Sequence, residues 1–166
     1  MNGQPSELSL PPEVLEAVGA YDFADQFAAA SRKEIRRYLA DFLSYRPWWL
    51  RALFALRAPL ARLLGIRHAF QPDAPTGPES IPFEPGGMLW IFRTVAAREG
   101  SYWAGEADDA HLRAVLAVTA DTLEGGARGY RVMTFVRFKN WRGPLYFRLV
   151  RPFHSLVVGA KTRRAA

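Results

Sequence analysis

The fold is decided by residues 129–160, which read GYRVMTFVRFKNWRGPLYFRLVRPFHSLVVGA. The first part of this stretch alternates between apolar and polar residues, which indicates a half-buried strand. One face of that strand carries Tyr130, Val132, Thr134, Val136 and Phe138. Gly143 and Pro144 then open a helix, because proline is favoured in a first helical turn.

The spacing predicts which side of this C-terminal helix is buried, and Pro152 is expected to bend it. The predicted core stripe is Tyr146, Leu149, Val150, Phe153, Leu156, Val157 and Ala160. The residues predicted to face away are Arg148, Arg151, Ser155 and Thr162.

Three more strands are predicted upstream, at Met88–Ala97, Tyr102–Glu106 and Ala110–Ala120. In the last of these, Leu112, Ala114, Leu116 and Val118 alternate inward, away from His111, Arg113 and Thr119. In the strand predicted at Met88–Ala97, we expect the inner face to be the one that carries Trp90, Phe92, Thr94 and Ala96. The reason is that Arg93, on the other face, needs solvent or a partner.

The N-terminal half is predicted to hold short helices and one edge strand at 21–29. A short helix is expected to open at Pro11-Pro12 and to run through Val18. Ser31-Arg32-Lys33-Glu34 has the spacing of a capping box, so we expect a helix after it that stops near Tyr45. A second helix is expected from Pro47, kinked at Pro59, before an irregular connector at 67–87.

These elements define an α+β domain. We expect a helix-grip architecture, in which a curved antiparallel sheet wraps around the long C-terminal helix and two shorter helices lie near the N-terminus. Residues 1–20 are predicted to be a lead-in, and residues 21–166 a single domain.

Composition and charge exclude several classes of protein. The chain has no cysteine, which rules out disulfides and thiolate metal sites. No stretch reaches the length of an uncharged membrane span, and the first residues, MNGQPSE, do not form a signal peptide, so we expect a cytoplasmic protein. The high arginine content is typical of a GC-rich bacterial genome.

The formal net charge of +6 is distributed unevenly along the chain. Residues 1–30 carry five acids and no base, whereas residues 125–166 carry ten bases and no acid. A basic end suits an anionic partner such as nucleic acid or lipid headgroups. The bases alternate with core positions, however, so we favour a fold in which the acidic and basic ends lie side by side.

Several segments together resemble the domain of unknown function 2867 family. They are Asp22-Phe23-Ala24-Asp25-Gln26-Phe27, Leu53-Phe54-Ala55-Leu56-Arg57, Leu64-Gly65, Asp108-Asp109-Ala110-His111-Leu112, Thr134-Phe135-Val136-Arg137-Phe138-Lys139-Asn140, Gly143-Pro144-Leu145-Tyr146 and Pro152-Phe153-His154. The resemblance implies a helix-grip fold of the START/Bet v 1-like superfamily and no established activity. It also implies association with a nicotinamide-dependent reductase, because similar domains occur fused to short-chain dehydrogenase-like domains.

The predicted site is an apolar cavity between the sheet and the C-terminal helix, with a few hydroxyl groups in its walls. Its candidate ligand-binding residues are Trp90, Phe92, Tyr102, Leu112, Leu116, Thr134, Phe138, Tyr146 and Phe153. No catalytic residue, metal ligand or cofactor is predicted, because His68, His111 and His154 lie far apart in sequence and no motif accompanies them.

Three functions remain open at this point. The leading hypothesis is a non-enzymatic module that binds a small hydrophobic or amphipathic molecule. The second is a cyclase or dehydratase, which needs a polar pair such as Tyr102 with Glu106, or His111 with Arg113, in the cavity. The third is a peripheral membrane or partner-binding module, and no recognised motif supports nucleic-acid binding.

Overall fold

The computed structural model describes residues 10–45, 47–49, 52 and 77–166, without the side chains at 146, 149 and 150. Of the predicted second helix only residues 47–49 and 52 are described, and Trp48, Trp49 and Ala52 are helical. The predicted kink at Pro59 and the connector before residue 77 lie outside the described residues. Two short 3-10 turns occur at Pro78–Ser80 and Glu124–Gly126. The helices and strands, numbered in chain order, are α1 (Pro12–Val18), β1 (Phe23–Ser31), α2 (Ile35–Ser44), β2 (Met88–Leu89), β3 (Phe92–Arg98), β4 (Tyr102–Asp108), β5 (Leu112–Thr122), β6 (Arg128–Phe138) and α3 (Arg142–Ala165).

The strands form one open antiparallel sheet in the order β1-β6-β5-β4-β3-β2. β3 to β6 make the predicted meander, and β1 is the predicted edge strand, paired along its whole length with β6. The single strand predicted at Met88–Ala97 is wrong. The chain turns at Trp90, whose φ is 57°, so that β2 folds back on β3 and Leu89 pairs with Phe92.

Each face of the sheet is covered by helices, and each has its own apolar cluster. We call the face under α2 and α3 the inner face and the face under α1 the outer face. The alternation predicted for β6 is confirmed, because Tyr130 and Val132 pack in the inner cluster and Met133 and Phe135 in the outer one. The inward assignment of Ala96 is wrong, because a register shift after Thr94 turns it to the outer face.

The outer face is closed by α1, which the sequence places correctly although it falls within the predicted lead-in. Val14 and Val18 are buried against the sheet. The Arg113 guanidinium donates to the carbonyl oxygens of Ala17 and Val18, at 2.5 and 2.9 Å. Two carbonyls left open at the end of a helix are thus satisfied by a strand side chain.

The start of α2 differs from the predicted capping box. Ser31 is the last residue of β1, and its hydroxyl accepts from the Lys33 amide at 3.3 Å and donates to the carbonyl oxygen of Ala166 at 2.9 Å. The hydroxyl is therefore used to hold the end of α3, and the helix begins at Ile35 without a side-chain cap. The predicted stop is confirmed, since Tyr45 is the C-terminal cap.

The predicted core stripe of α3 is wrong by about half a turn. Phe153 and Leu156 are 42% and 54% exposed, whereas Thr162 is fully buried. The side that packs on the sheet and α2 carries Phe147, Val158, Thr162 and Ala165. This helix is apolar on two sides, so its periodicity alone does not decide which side is buried.

Candidate functional site

The most unusual polar contact lies on the inner face, where β1 and β6 pass beneath α3. Asp25 on β1 is the direct cross-strand partner of Thr134 on β6. From α3, His154 brings its Nε2 atom to 3.3 Å from an Asp25 carboxylate oxygen. A carboxylate, a hydroxyl and an imidazole thus meet between the sheet and the helix.

The alternation of β1 puts a charge in a position normally taken by an apolar side chain. Phe23, Asp25 and Phe27 share the face that packs toward α3, because residues two apart on a strand point the same way. Asp25 is only 7% exposed. A carboxylate so placed has to find compensating hydrogen bonds or lose much of its solvation energy.

Those hydrogen bonds are missing in the described part of the chain. Both Asp25 carboxylate oxygens, Thr134 Oγ1 and His154 Nε2 are buried there without a hydrogen-bond partner. The contact between His154 and Asp25 is within ion-pair distance but does not have the geometry of a hydrogen bond. Each unsatisfied buried group costs about 1–3 kcal/mol, so this cluster carries a desolvation cost that no described residue offsets.

An aromatic wall surrounds one side of the cluster. The His154 ring packs edge-on against Phe23, and the rings of Phe23 and Phe147 are 4.7 Å apart. Phe138 continues the wall, with its ring 5.7 Å from that of Phe147. A few polar groups set among apolar walls are typical of small-molecule sites.

The structure brings together some of the predicted ligand-binding residues and separates others. Leu116 is the cross-strand partner of Thr134, and Leu112 that of Phe138, so these four lie on the inner face with Asp25. Trp90 and Phe92 pack in the same inner cluster, beside Trp103 near the opposite edge of the sheet.

The other three predicted residues lie elsewhere or are not described. Tyr102 lies on the outer face with α1, where burial raises the pKa of its hydroxyl. Phe153 points away from the sheet. The side chain of Tyr146 lies outside the described residues.

Neither polar pair required for the predicted cyclase or dehydratase converges on the inner face. Glu106 accepts from Arg93 and from Arg113, at 3.0 and 2.6 Å, on the outer face with Tyr102. Burial alone would raise the pKa of Glu106, but the two guanidinium groups outweigh it and lower that pKa. His111 is buried near Asp109, with Nδ1 3.6 Å from a carboxylate oxygen, while Arg113 is held by Glu106 and α1.

Sequence reasoning missed Asp25 and gave His154 no role in the site. The signal for Asp25 was a charged residue at an inward position between Phe23 and Phe27. The signal for His154 was its position seven residues, or about two helical turns, after Phe147, which places both on one side of α3. The position of His154 was not recognised as inward because the predicted core stripe of α3 was on the wrong side of the helix.

Other features of the described residues point to no second site of this kind. Two shallow grooves lie at the far end of β1, one lined by residues 28–30 with Leu123 and Arg131, the other by residues 30–33 with Ala127 and Ala166. Within the described ranges, no cluster of three or more histidine, aspartate or glutamate side chains is placed to hold a metal ion. No described helix combines the length and apolar character needed to cross a membrane.

The chain has an α+β fold with an open antiparallel sheet and a C-terminal helix. Residues 17–161 match the family described as "Protein of unknown function (DUF2867)", and the chain belongs to that family. No match is found among curated proteins.

Proposed function

We propose that this protein binds a small amphipathic molecule between the inner face of the sheet and α3, in a helix-grip arrangement of the START/Bet v 1-like kind. The observation that carries the proposal is the buried set of polar atoms on Asp25, Thr134 and His154 that have no hydrogen-bond partner among the described residues. An occupant that supplies the missing hydrogen bonds removes their cost.

The cluster defines the polar end of such a molecule. An ionised carboxylate only accepts hydrogen bonds, so Asp25 calls for a donor, either a hydroxyl group or a protonated amine. The Thr134 hydroxyl donates or accepts as required. The aromatic wall and Leu116 suit an apolar body attached to that donor.

The energies favour an occupied site over a permanently empty one. Three side chains with unsatisfied buried atoms cost together about 3–9 kcal/mol, at about 1–3 kcal/mol each. The total stability of a domain is only about 5–15 kcal/mol. A polar cluster of this cost is more readily retained if a ligand offsets it.

The test is mass spectrometry of the full chain under native conditions, followed by thermal-shift measurements with long-chain alcohols, long-chain amines and aromatic amines. We expect a co-purifying molecule or a stabilising ligand. We expect Asp25→Asn to weaken its binding at least tenfold, because charge-assisted hydrogen bonds are about twice as strong as neutral ones. The matched control is Asp121→Asn, which makes the same change at an exposed position outside the inner face.

Two results would count against the binding proposal. One is a complete absence of co-purifying molecules and of thermal shifts across these probes. The other is a ligand whose affinity is the same for the wild type and for Asp25→Asn.

A second candidate function rests on the 3.3 Å contact between His154 and Asp25. An imidazole beside a buried carboxylate suits a proton-transfer enzyme of the cyclase or dehydratase type, with His154 as the base and Asp25 as its orienting partner. In that case His154→Gln abolishes turnover of the bound compound but leaves its binding within about threefold. Unchanged compound after prolonged incubation with the wild type would favour the binding module.

A further inference from the structure

The outer side of α3 has an arrangement that small-molecule binding does not explain. Leu145, Phe153 and Leu156 are 45%, 42% and 54% exposed. At 100° per residue they fall within about 80° of one another around the helix. They form one apolar strip on the side opposite Phe147 and Val158, and we call it the α3 strip.

Arginines surround this strip. Arg142, Arg148, Arg163 and Arg164 are exposed on the same helix, on or beside the side that carries the strip. Arg151 is also exposed but lies toward the sheet, with its guanidinium 5.0 Å from the ring centre of Phe23. In the described part of the chain none of the four arginines around the strip makes an ion pair, and residues 125–166 contain no acidic residue. Several surface arginines elsewhere on the domain have carboxylate partners, such as Arg98 with Glu13.

Trp141 immediately precedes the helix and is 71% exposed, with the Arg142 guanidinium 5.5 Å from its ring centre. Tryptophan is enriched where protein meets the headgroup region of a bilayer, because its ring is apolar and its N–H is polar. The α3 strip, its arginines and Trp141 together have the composition of a helix that lies in the plane of a membrane interface.

We propose that the outer side of α3 docks on an anionic membrane surface. The arginines complement the negative lipid headgroups, and the α3 strip enters the boundary between headgroups and acyl chains. A nucleic acid complements the arginines but offers nothing for Leu156 and Phe153. A neutral apolar partner covers the strip but leaves the four surrounding cations unpaired. This proposal is independent of what binds beside Asp25.

The test is co-sedimentation of the purified full chain with vesicles of phosphatidylcholine alone or mixed with phosphatidylglycerol, at low and high salt. We expect binding to the mixed vesicles that weakens as salt rises. Each cation near such a surface strengthens binding roughly fivefold. Arg148→Glu reverses one charge, so it should weaken partitioning about thirtyfold.

The control for this charge is Arg137→Glu, an equal change at an exposed residue of β6. For the strip, Leu156→Ser should weaken partitioning about tenfold or more, whereas Met88→Ser, at a residue 63% exposed on β2, should not. All four positions are exposed, and unchanged circular dichroism spectra and melting temperatures would show that the variants fold.

Three results would overturn the proposal. Equal binding to neutral vesicles, or none to anionic ones, removes the electrostatic basis. Sensitivity to Arg148→Glu without sensitivity to Leu156→Ser identifies a purely electrostatic surface, as for a nucleic acid or an acidic protein. A wild-type dimer in sedimentation velocity that Leu156→Ser converts to a monomer identifies a second copy of the chain as the occupant.

Discussion

Two buried threonines on the inner face allow a direct test of the unsatisfied polar cluster. Thr134 and Thr94 are 6% and 1% exposed, so both are core residues of the same sheet. They differ in their hydrogen bonds. Thr134 Oγ1 has none among the described residues, whereas Thr94 Oγ1 accepts from Trp103 Nε1 at 3.2 Å and donates to the Pro82 carbonyl at 3.3 Å.

Replacing each threonine by valine keeps the shape of the side chain and removes the hydroxyl. Thr134→Val should raise the free energy of unfolding by about 1–2 kcal/mol, because it removes an unsatisfied polar group. Thr94→Val should lower it by about 1 kcal/mol, the net value of an ordinary hydrogen bond. The loss is limited because Trp103 Nε1 keeps its 3.0 Å bond to the Pro82 carbonyl.

The quantity to measure is the difference between the two variants, about 2–3 kcal/mol by urea unfolding of the full chain. At about 2–4 °C per kcal/mol for a domain of this size, the melting temperatures should differ by about 4–12 °C. Both changes replace threonine by valine within a strand, so most of the change in strand propensity cancels in the comparison.

The reasoning is refuted if Thr134→Val destabilises the protein as much as Thr94→Val does. The Thr134 hydroxyl would then be fully hydrogen-bonded in solution, and nothing beside Asp25 would require a ligand to complete its hydrogen bonds. If Thr134→Val stabilises the protein and weakens ligand binding, the threonine is retained for function at a cost in stability.

Three further predictions concern other parts of the fold. Glu106→Gln should lower the free energy of unfolding at neutral pH by about 2 kcal/mol. The two arginine partners lower the carboxyl pKa of Glu106 from 4.5, so its contribution to stability exists above that pH and is lost as pH falls below it. Unfolding measured against pH should therefore show the variant and the wild type converging in acid. Burial raises the pKa of Tyr130 to about 12, so the folded state favours the neutral phenol. The contribution of this shift to stability is complete below pH about 10 and is lost as pH rises toward 12. Alkaline unfolding of the wild type and of Tyr130→Phe would reveal that loss. Gly105→Ala would bring a Cβ atom to 2.3 Å from the fully buried Trp103 ring and should cost about 1–3 kcal/mol in urea unfolding, whereas Gly129→Ala meets side-chain atoms only at 3.4 Å and should cost less.

Much of the sheet follows from the sequence, because strand alternation is a local property. In β6 the period of two assigns Thr134 and Phe135 to opposite faces, and both assignments are confirmed. The turn at Trp90 was not predictable in this way, since positive φ at a tryptophan has no local sequence signal. The register shift after Thr94 likewise depends on pairing with β4 and not on the strand itself.

The candidate site was predictable only in part, because it depends on contacts between distant segments. Thr134 was selected correctly as an inward hydroxyl. Asp25 becomes significant only when β1 pairs with β6 and α3 places His154 above it. Neither contact is encoded locally, as residues 25 and 154 belong to opposite ends of the chain.

The orientation of α3 connects the two proposals. A surface helix normally buries its apolar side and exposes its polar side. In α3, His154 and Thr162 lie on the inward side, while Phe153 and Leu156 face outward. The hydrophobic pattern of α3 alone would therefore favour burial of the side that carries Phe153 and Leu156. The observed orientation is accounted for if each side of the helix has its own partner, which is a small molecule on the inward side and a membrane surface on the outward side.

Because those partners lie on opposite sides of one helix, they can be perturbed separately. Leu156→Ser should abolish most vesicle binding and leave the affinity for a soluble ligand within about twofold, since substitutions at independent sites are close to additive. Thr134→Val should abolish most binding of the soluble ligand and leave vesicle binding within about twofold. Thermal-shift titrations and vesicle co-sedimentation on both variants check this. If each variant impaired both activities equally, the two sides of α3 would act as one site, and the separation argued from their orientation would be wrong.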